Sequence, residues 1–273
     1  MNDFKFVSEE YSIHKSKNYR LSIQLNPDGF SVLVVNEERK VLKILHVQSG
    51  SYEESFKLFK SKEELIKLRE LSFKFVQILL NNERVSLVPN HDDYHANFKK
   101  YFYIDFVKQK ESRVLNRVID NSDISCVYEI DETLDTIIQG FRNNPSVRHI
   151  GPDILSGLLS ENNEKNIARV YTSPGLIHLG IASAGKMEFY NVFKWTTEEE
   201  MLFYLMNTLR KYNIEDLFVE YSGHIKKNGS AIKLLKKYIP GIHILPNVFS
   251  FEIAWDINEN YFSYLYPNKI ANY

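Results

Sequence analysis

The amino-acid sequence predicts an α/β protein of mixed sheets, with one plan laid down twice along the chain. Three observations predict it. A strand–turn–strand–turn–strand run over residues 20–48 ends at a helix-start signature. The same run recurs 146 residues later, Gly175 falling opposite Gly29. Each copy then continues into further strands and helices.

In the first copy residues 20–25 read as a strand. Asn26, Pro27, Asp28 and Gly29 supply a tight turn, because Pro fixes φ and Gly accepts a positive one. Residues 30–36 form a second strand, 37–39 a turn and 40–48 a third strand with alternating apolar positions. Ser51 and Glu54 make the S-x-x-E pattern of a capping box. A helix near 62–71, strands at 73–80 and 85–88, a helix from about Asp92, a strand at 124–130 and a helix over 131–141 follow.

In the second copy 168–173, 176–182 and 187–195 are the three strands, and Thr197 with Glu200 repeats the capping box. The pairs Gly29/Gly175, Leu33/Leu179, Lys40/Lys186, Glu53/Glu199 and Glu54/Glu200 are identical at that spacing. A helix over 197–212, a buried strand at 216–221, a helix over 226–238 stopped by Pro240 and Gly241, and a strand at 242–245 complete it. Each half is thus a β-β-β-α-β-α-β series: a meander extended by crossovers, with helices on its faces. The halves divide at 1–162 and 163–273.

Composition excludes several functions. With 34 Lys+Arg against 35 Asp+Glu the formal charge is -1, so the broad cationic surface that drives phosphate-backbone binding is missing and nucleic acid is not expected as a partner. Apolar runs such as 75–80 fall far short of the roughly 18 residues of a membrane span. The opening residues lack a basic segment followed by an apolar one, so a cytoplasmic location is expected. The single cysteine, Cys126, lies in a strand-like apolar run and reads as a buried, inert thiol. Only 11 glycines occur, fewer than average, which weighs against phosphate-cradling loops.

That doubled series is the plan of the actin-like, ribonuclease-H-like fold. The meanders, the run Val85-Ser-Leu-Val-Pro89 leading to Asp92 and Asp93, and Val127-Tyr-Glu-Ile-Asp131 resemble an uncharacterised bacterial family with an actin-like ATPase fold and no established activity. More distantly the chain is similar to the actin-like adaptor proteins of pilus and secretion machines. The resemblance implies two actin-like lobes related by internal duplication and a protein partner. It also implies ATP with Mg²⁺ as the cofactor to test for, held between the lobes by the first hairpin of each half.

Against that implication stand the hairpins themselves. Asp28 sits inside a β-turn sequence, and the second turn, Thr172, Ser173, Pro174 and Gly175, has no carboxylate. No catalytic residue is assigned. For a small ligand the candidate residues are Ser222, Gly223, Lys226, Gly229 and Ser230, where a helix start and lysines would receive an anion; the plainer reading is a polar helix cap with solvated lysines. The run from Gly180 to Gly185 and Lys186 nearly matches a phosphate loop, but Met187 replaces the hydroxyl residue and a strand follows, so it reads as a hairpin turn. His91 and His95 have a metal-binding spacing, yet with Asp92 and Asp93 they suit the start of a helix better. The aromatic tail over 249–266 reads as a closing strand and helix, or else as a docking surface. The expectation is a non-catalytic binding or adaptor protein with a degenerate nucleotide site and no required cofactor. The alternative is a nucleotide-binding ATPase or small-molecule kinase with an atypical site between the lobes.

Overall fold

Alternation of side chains builds the first sheet of the computed structural model, which describes residues 4–120, 122–155, 158–159, 165–212, 217–223 and 230–245. After an edge strand β1 (Phe4–Val7) come β2 (Arg20–Asn26), β3 (Gly29–Val35) and β4 (Val41–Gln48). Leu21, Ile23 and Leu25 on β2 and Phe30, Val32 and Val34 on β3 share one face and are fully buried. That face packs beneath α1 (Tyr52–Ser61) and α2 (Glu63–Glu70), through Phe56, Phe59, Leu65 and Leu68. The chain returns through β5 (Phe75–Leu80), parallel to β2.

Next comes an excursion that the sequence reading places wrongly. β6 (Val85–Pro89), α3 (Asp92–Asp105), β7 (Arg113–Val118) and β8 (Ile124–Ile130) make a separate three-stranded antiparallel sheet, ordered β6-β8-β7. The strand expected at 124–130 is therefore the centre of this small sheet and not a member of the large one. Cys126, Tyr128 and Ile130 face the main core while Val127 faces a second cluster with Val88, Phe102 and Val114. The strand is buried on both faces, Ser125, Val127 and Glu129 lying on one and Cys126, Tyr128 and Ile130 on the other, so it is central, but its sequence does not say which sheet it centres. The sixth strand of the large sheet follows the crossover helix α4 (Glu132–Gln139): it is β9 (Ser146–His149), four residues that carry too little pattern to read, followed by α5 (Gly151–Leu155).

The second half is β10 (Asn166–Ser173), β11 (Leu176–Ser183), β12 (Lys186–Lys194), α6 (Glu198–Lys211), β13 (Phe218–Gly223), α7 (Ser230–Tyr238) and β14 (His243–Ile244). Its sheet runs β12-β11-β10-β13-β14; the first runs β1-β4-β3-β2-β5-β9. Leaving out β1, both have the order third, second, first, fourth, fifth. Both also have antiparallel meander pairs and parallel crossover pairs. The spacing needs one correction. Asn26 pairs with Gly29 and Ser173 with Leu176, so Pro27 answers to Pro174 and the hairpins correspond at 147. The third strands return to 146, because Val35 and Val41 bracket a longer turn than Ser183 and Lys186 do. That second turn carries positive φ at Ala184 and Gly185, the signature of a tight hairpin and not of a phosphate loop. The halves share a core: Leu155, Leu158 and Leu159 join Ile167, Leu176, Ala182 and Val192 in one cluster with the first sheet. No helix among the described residues is long and apolar enough to cross a membrane.

Candidate functional site

The faces that the two sheets turn toward each other are polar, and they meet in a buried network at the hairpin ends. β2 contributes Gln24 and Asn26, and Asn81 follows β5 directly. β9 contributes His149, β10 Ser173 and β11 His178. None of these six is more than 1% exposed. Asn81 is the hub. Its Nδ2 donates to Asn26 Oδ1 and to Ser173 Oγ, each at 2.8 Å. Its Oδ1 lies 2.8 Å from His178 Nε2. Because that oxygen only accepts, Nε2 carries the His178 proton, and Nδ1 accepts from the Tyr190 hydroxyl at 2.9 Å. Gln24 Nε2 donates to Asn26 Oδ1 at 2.9 Å and reaches Tyr171 of the second half at 3.4 Å.

His149 is fixed in the same way. Gly151 N–H donates to its Nδ1 and the ring reaches Asn82 O, both at 3.0 Å, so Nε2–H is the donor. Burial drives both imidazoles toward the neutral form. His149 falls to about 4, and His178, buried and beside His149, lies well below its ordinary value. Protonating His149 would set a second donor against the Gly151 N–H. Gly151 itself admits no side chain, since a Cβ there would sit 2.6 Å from the Tyr190 hydroxyl. The seam is therefore a neutral lattice of amides, hydroxyls and imidazoles that bonds one half to the other.

Beside it lies a cavity of ≈ 370 Å³, about the size of a small ligand, between the two hairpin turns at Pro27 and Gly175. Tyr52 and Trp195 supply aromatic walls. Charges on the wall are matched: Arg84 pairs with Glu129 and Lys194 with Glu83 across the halves. Asp131 caps α4 by accepting from Leu134 N–H at 2.7 Å. Trp195 Nε1–H is spent on Ser173 O at 3.1 Å.

Of the residues singled out from sequence, only some are described. Ser222 is buried with its hydroxyl donating to Val170 O at 3.3 Å. Gly223 has φ +106°, and a Cβ there would lie 2.0 Å from Thr172 O, so glycine is demanded by the neighbouring strand. Lys226 and Gly229 lie outside the described residues, as do His224 and the aromatic tail. Ser230 opens α7, its side chain outside the described set. Asp28 stays in its turn, with one carboxyl oxygen buried and unbonded, and burial raises it to about 6. Cys126 is fully buried and its thiol pushed far up by that burial. His91 is the N-cap of α3 and makes no side-chain capping bond. Among the described residues no three His, Cys, Asp or Glu converge as metal ligands.

Sequence reasoning missed Gln24, Asn81 and His149 and passed over His178. The available signal was polarity on the second face of strands whose first face is wholly apolar, followed by an Asn pair directly after the apolar run of β5.

The comparisons agree with this architecture. The family described as "Protein of unknown function (DUF3822)" matches residues 8–242, and the chain belongs to it. No curated protein matches. Among solved structures the chain is similar to a Bacteroides thetaiotaomicron VPI-5482 protein with an actin-like ATPase fold and unknown function. The TM-score is 0.71 at 19% identity, over 86% of this chain and 93% of that one. It is also similar to a chain of the PilM–PilN type IV pilus biogenesis complex, with TM-score 0.60 at 10% identity over 92% of this chain and 95% of that one. These likenesses establish an actin-like ATPase fold.

Proposed function

We propose that this DUF3822 protein is a non-catalytic actin-like scaffold that binds a partner protein in the cytoplasm, its two lobes descending from one duplicated unit and its nucleotide site degenerate. The observation that carries the reading is the neutral lattice at the seam. A metal–triphosphate between the hairpins would need carboxylates to hold hydrated Mg²⁺ and free N–H groups for phosphate oxygens. The hairpin ends instead offer the neutral Asn26 and Ser173: Asn26 Oδ1 and Ser173 Oγ accept from Asn81, and Asn26 Nδ2 is buried without a partner. These residues do not fit the group. Asn81 and His178 also tie the halves together, which opposes the opening and closing that a turnover cycle uses. The PilM relative forms a complex with PilN, and an adaptor role of that kind is the partner class we infer here.

The test is turnover and binding of ATP with Mg²⁺ by the purified protein. No hydrolysis above the buffer rate is expected. Hydrolysis that Asp28→Ala abolishes would overturn the proposal. A second reading, a nucleotide-sensing or kinase-like site, draws on the cavity between Tyr52 and Trp195. It expects a thermal shift with ATP that Trp195→Ala removes.

A further inference from the structure

A second cavity, away from the seam, lies between the edge of the first sheet and the three-stranded sheet. It measures ≈ 300 Å³, of the order of the smaller ligand pockets, and is lined by Gln77, Asn116, Arg117, Tyr128, Ser146 and Arg148 among others. Two guanidinium groups meet there. Arg148 is 8% exposed; its Nη2 donates to Gln77 Oε1 at 3.1 Å, and its Nε is buried without a hydrogen-bond partner. Arg117, with its side chain 27% exposed, forms the outer wall.

The negative charge inside the protein holds them only loosely. Asp153 on α5 faces both arginines, but at 3.4 Å from Arg148 and 3.7 Å from Arg117. Charge-assisted bonds run near 2.8 Å, and Asp153 Oδ2 makes no hydrogen bond at all. Asp120 acts on the cluster only through space. A buried guanidinium without a close counter-charge is costly. The chain maintains that cost at a place where a cavity opens between strands.

We propose that this cavity is a binding site for a small, multiply charged oxyanion, bridged by Arg117 and Arg148 with the Ser146 hydroxyl as a neutral donor. Planar guanidinium forks match carboxylate and phosphate oxygens two at a time, and one anion would complete what Asp153 leaves unfinished. The site is independent of the seam, so its failure leaves the scaffold reading untouched, and loss of that reading leaves this site in place.

Thermal unfolding of the whole protein tests it, with inorganic phosphate and malonate each compared with chloride at matched ionic strength. Either anion raises the midpoint by several degrees as it binds the folded state. A response to phosphate alone assigns a phosphoryl ligand, and a response to malonate alone a dicarboxylate. Arg117→Gln, on the exposed side, keeps the fold and weakens anion affinity about tenfold, which shrinks the shift in midpoint. Asp153→Asn removes the internal competitor; it unfolds earlier in chloride and recovers most of the loss with the anion. The proposal fails if neither anion shifts the midpoint, if Arg117→Gln responds as the native chain does, or if Asp153→Asn is not rescued.

Discussion

The two halves share a scaffold and differ at the seam. Pro27 and Pro174 make matching hairpins, and Ser51 and Thr197 cap matching helices, both by accepting from a glutamate N–H at 3.2 Å. At the faces that meet, the correspondence ends. Where the first half has Gln24, Asn26 and Ser31, the second has Tyr171, Ser173 and His178. Turns and caps answer to local backbone geometry, which is the same in both sheets. The seam answers to a partner surface, and the halves supply different groups to it: the amides of Gln24, Asn26 and Asn81 and the His149 imidazole from one side, hydroxyls and the His178 imidazole from the other.

The comparison breaks most directly at its hub. Asn81→Leu keeps the volume but strips His178 Nε2–H and Ser173 Oγ of their partner and leaves Asn26 Oδ1 with Gln24 alone. Buried orphans cost about 1–3 kcal/mol each, so a loss of roughly 3–5 kcal/mol is expected in denaturant unfolding. A loss below about 1 kcal/mol would mean that the halves are joined by their shared apolar core and not by the network.

Acid is a gentler probe of the same seam. His149 titrates near 4 in the folded chain against 6.5 when unfolded. The unfolded state therefore takes up the proton first, and the stability held above pH 6.5 drains away as pH falls toward 4. A shift of that size is worth about 3 kcal/mol in full. Asp28 and Asp153 have the opposite sign: raised from 3.8 to about 6 by burial, they favour the folded state as pH drops through that window. The histidine contribution is isolated by difference. The stability advantage of the native chain over His149→Gln should shrink steadily between pH 7 and about pH 4.5. A constant difference would contradict the neutral, fixed imidazole.

How much of this was legible follows from the same division. Strands β2 to β4 and β10 to β12, both capping boxes, the near-match to a phosphate loop as a hairpin, and the inert Cys126 could be read because each depends on neighbours in sequence. β9 could not, being four residues between longer elements. The placement of β8 could not either, since nothing local in Ile124–Ile130 says which sheet the strand centres. Gln24 and Asn26 alternate with Ile23 and Leu25, a pattern that a solvent-washed face would give equally well. Only the second half, folded over it, makes that face an interior. At Gly223, a candidate ligand contact by sequence, the need for glycine comes from the Thr172 backbone pressed against it, a close approach between strands that the sequence does not show.

The smallest effect tests the shared part of the plan. Each cap serine or threonine accepts one helix N–H, and each glutamate three residues on reaches back. Glu54 accepts from Gly50 N–H at 2.6 Å, and Glu200 from Thr196 N–H at 2.9 Å. Glu200 also takes the Thr196 hydroxyl at 2.8 Å and the Tyr204 hydroxyl at 3.3 Å, contacts that Gly50 and Leu58 at the matching positions cannot offer. Ser51→Ala and Thr197→Ala should each cost about 1 kcal/mol, within a few tenths of one another, because each removes the same single bond. Glu200→Ala should destabilise more than Glu54→Ala, in proportion to the extra hydroxyls. Equal losses from the two glutamate variants would mean that the caps work through the backbone bond alone, and a large gap between Ser51→Ala and Thr197→Ala would mean that the two helix starts are not the same device.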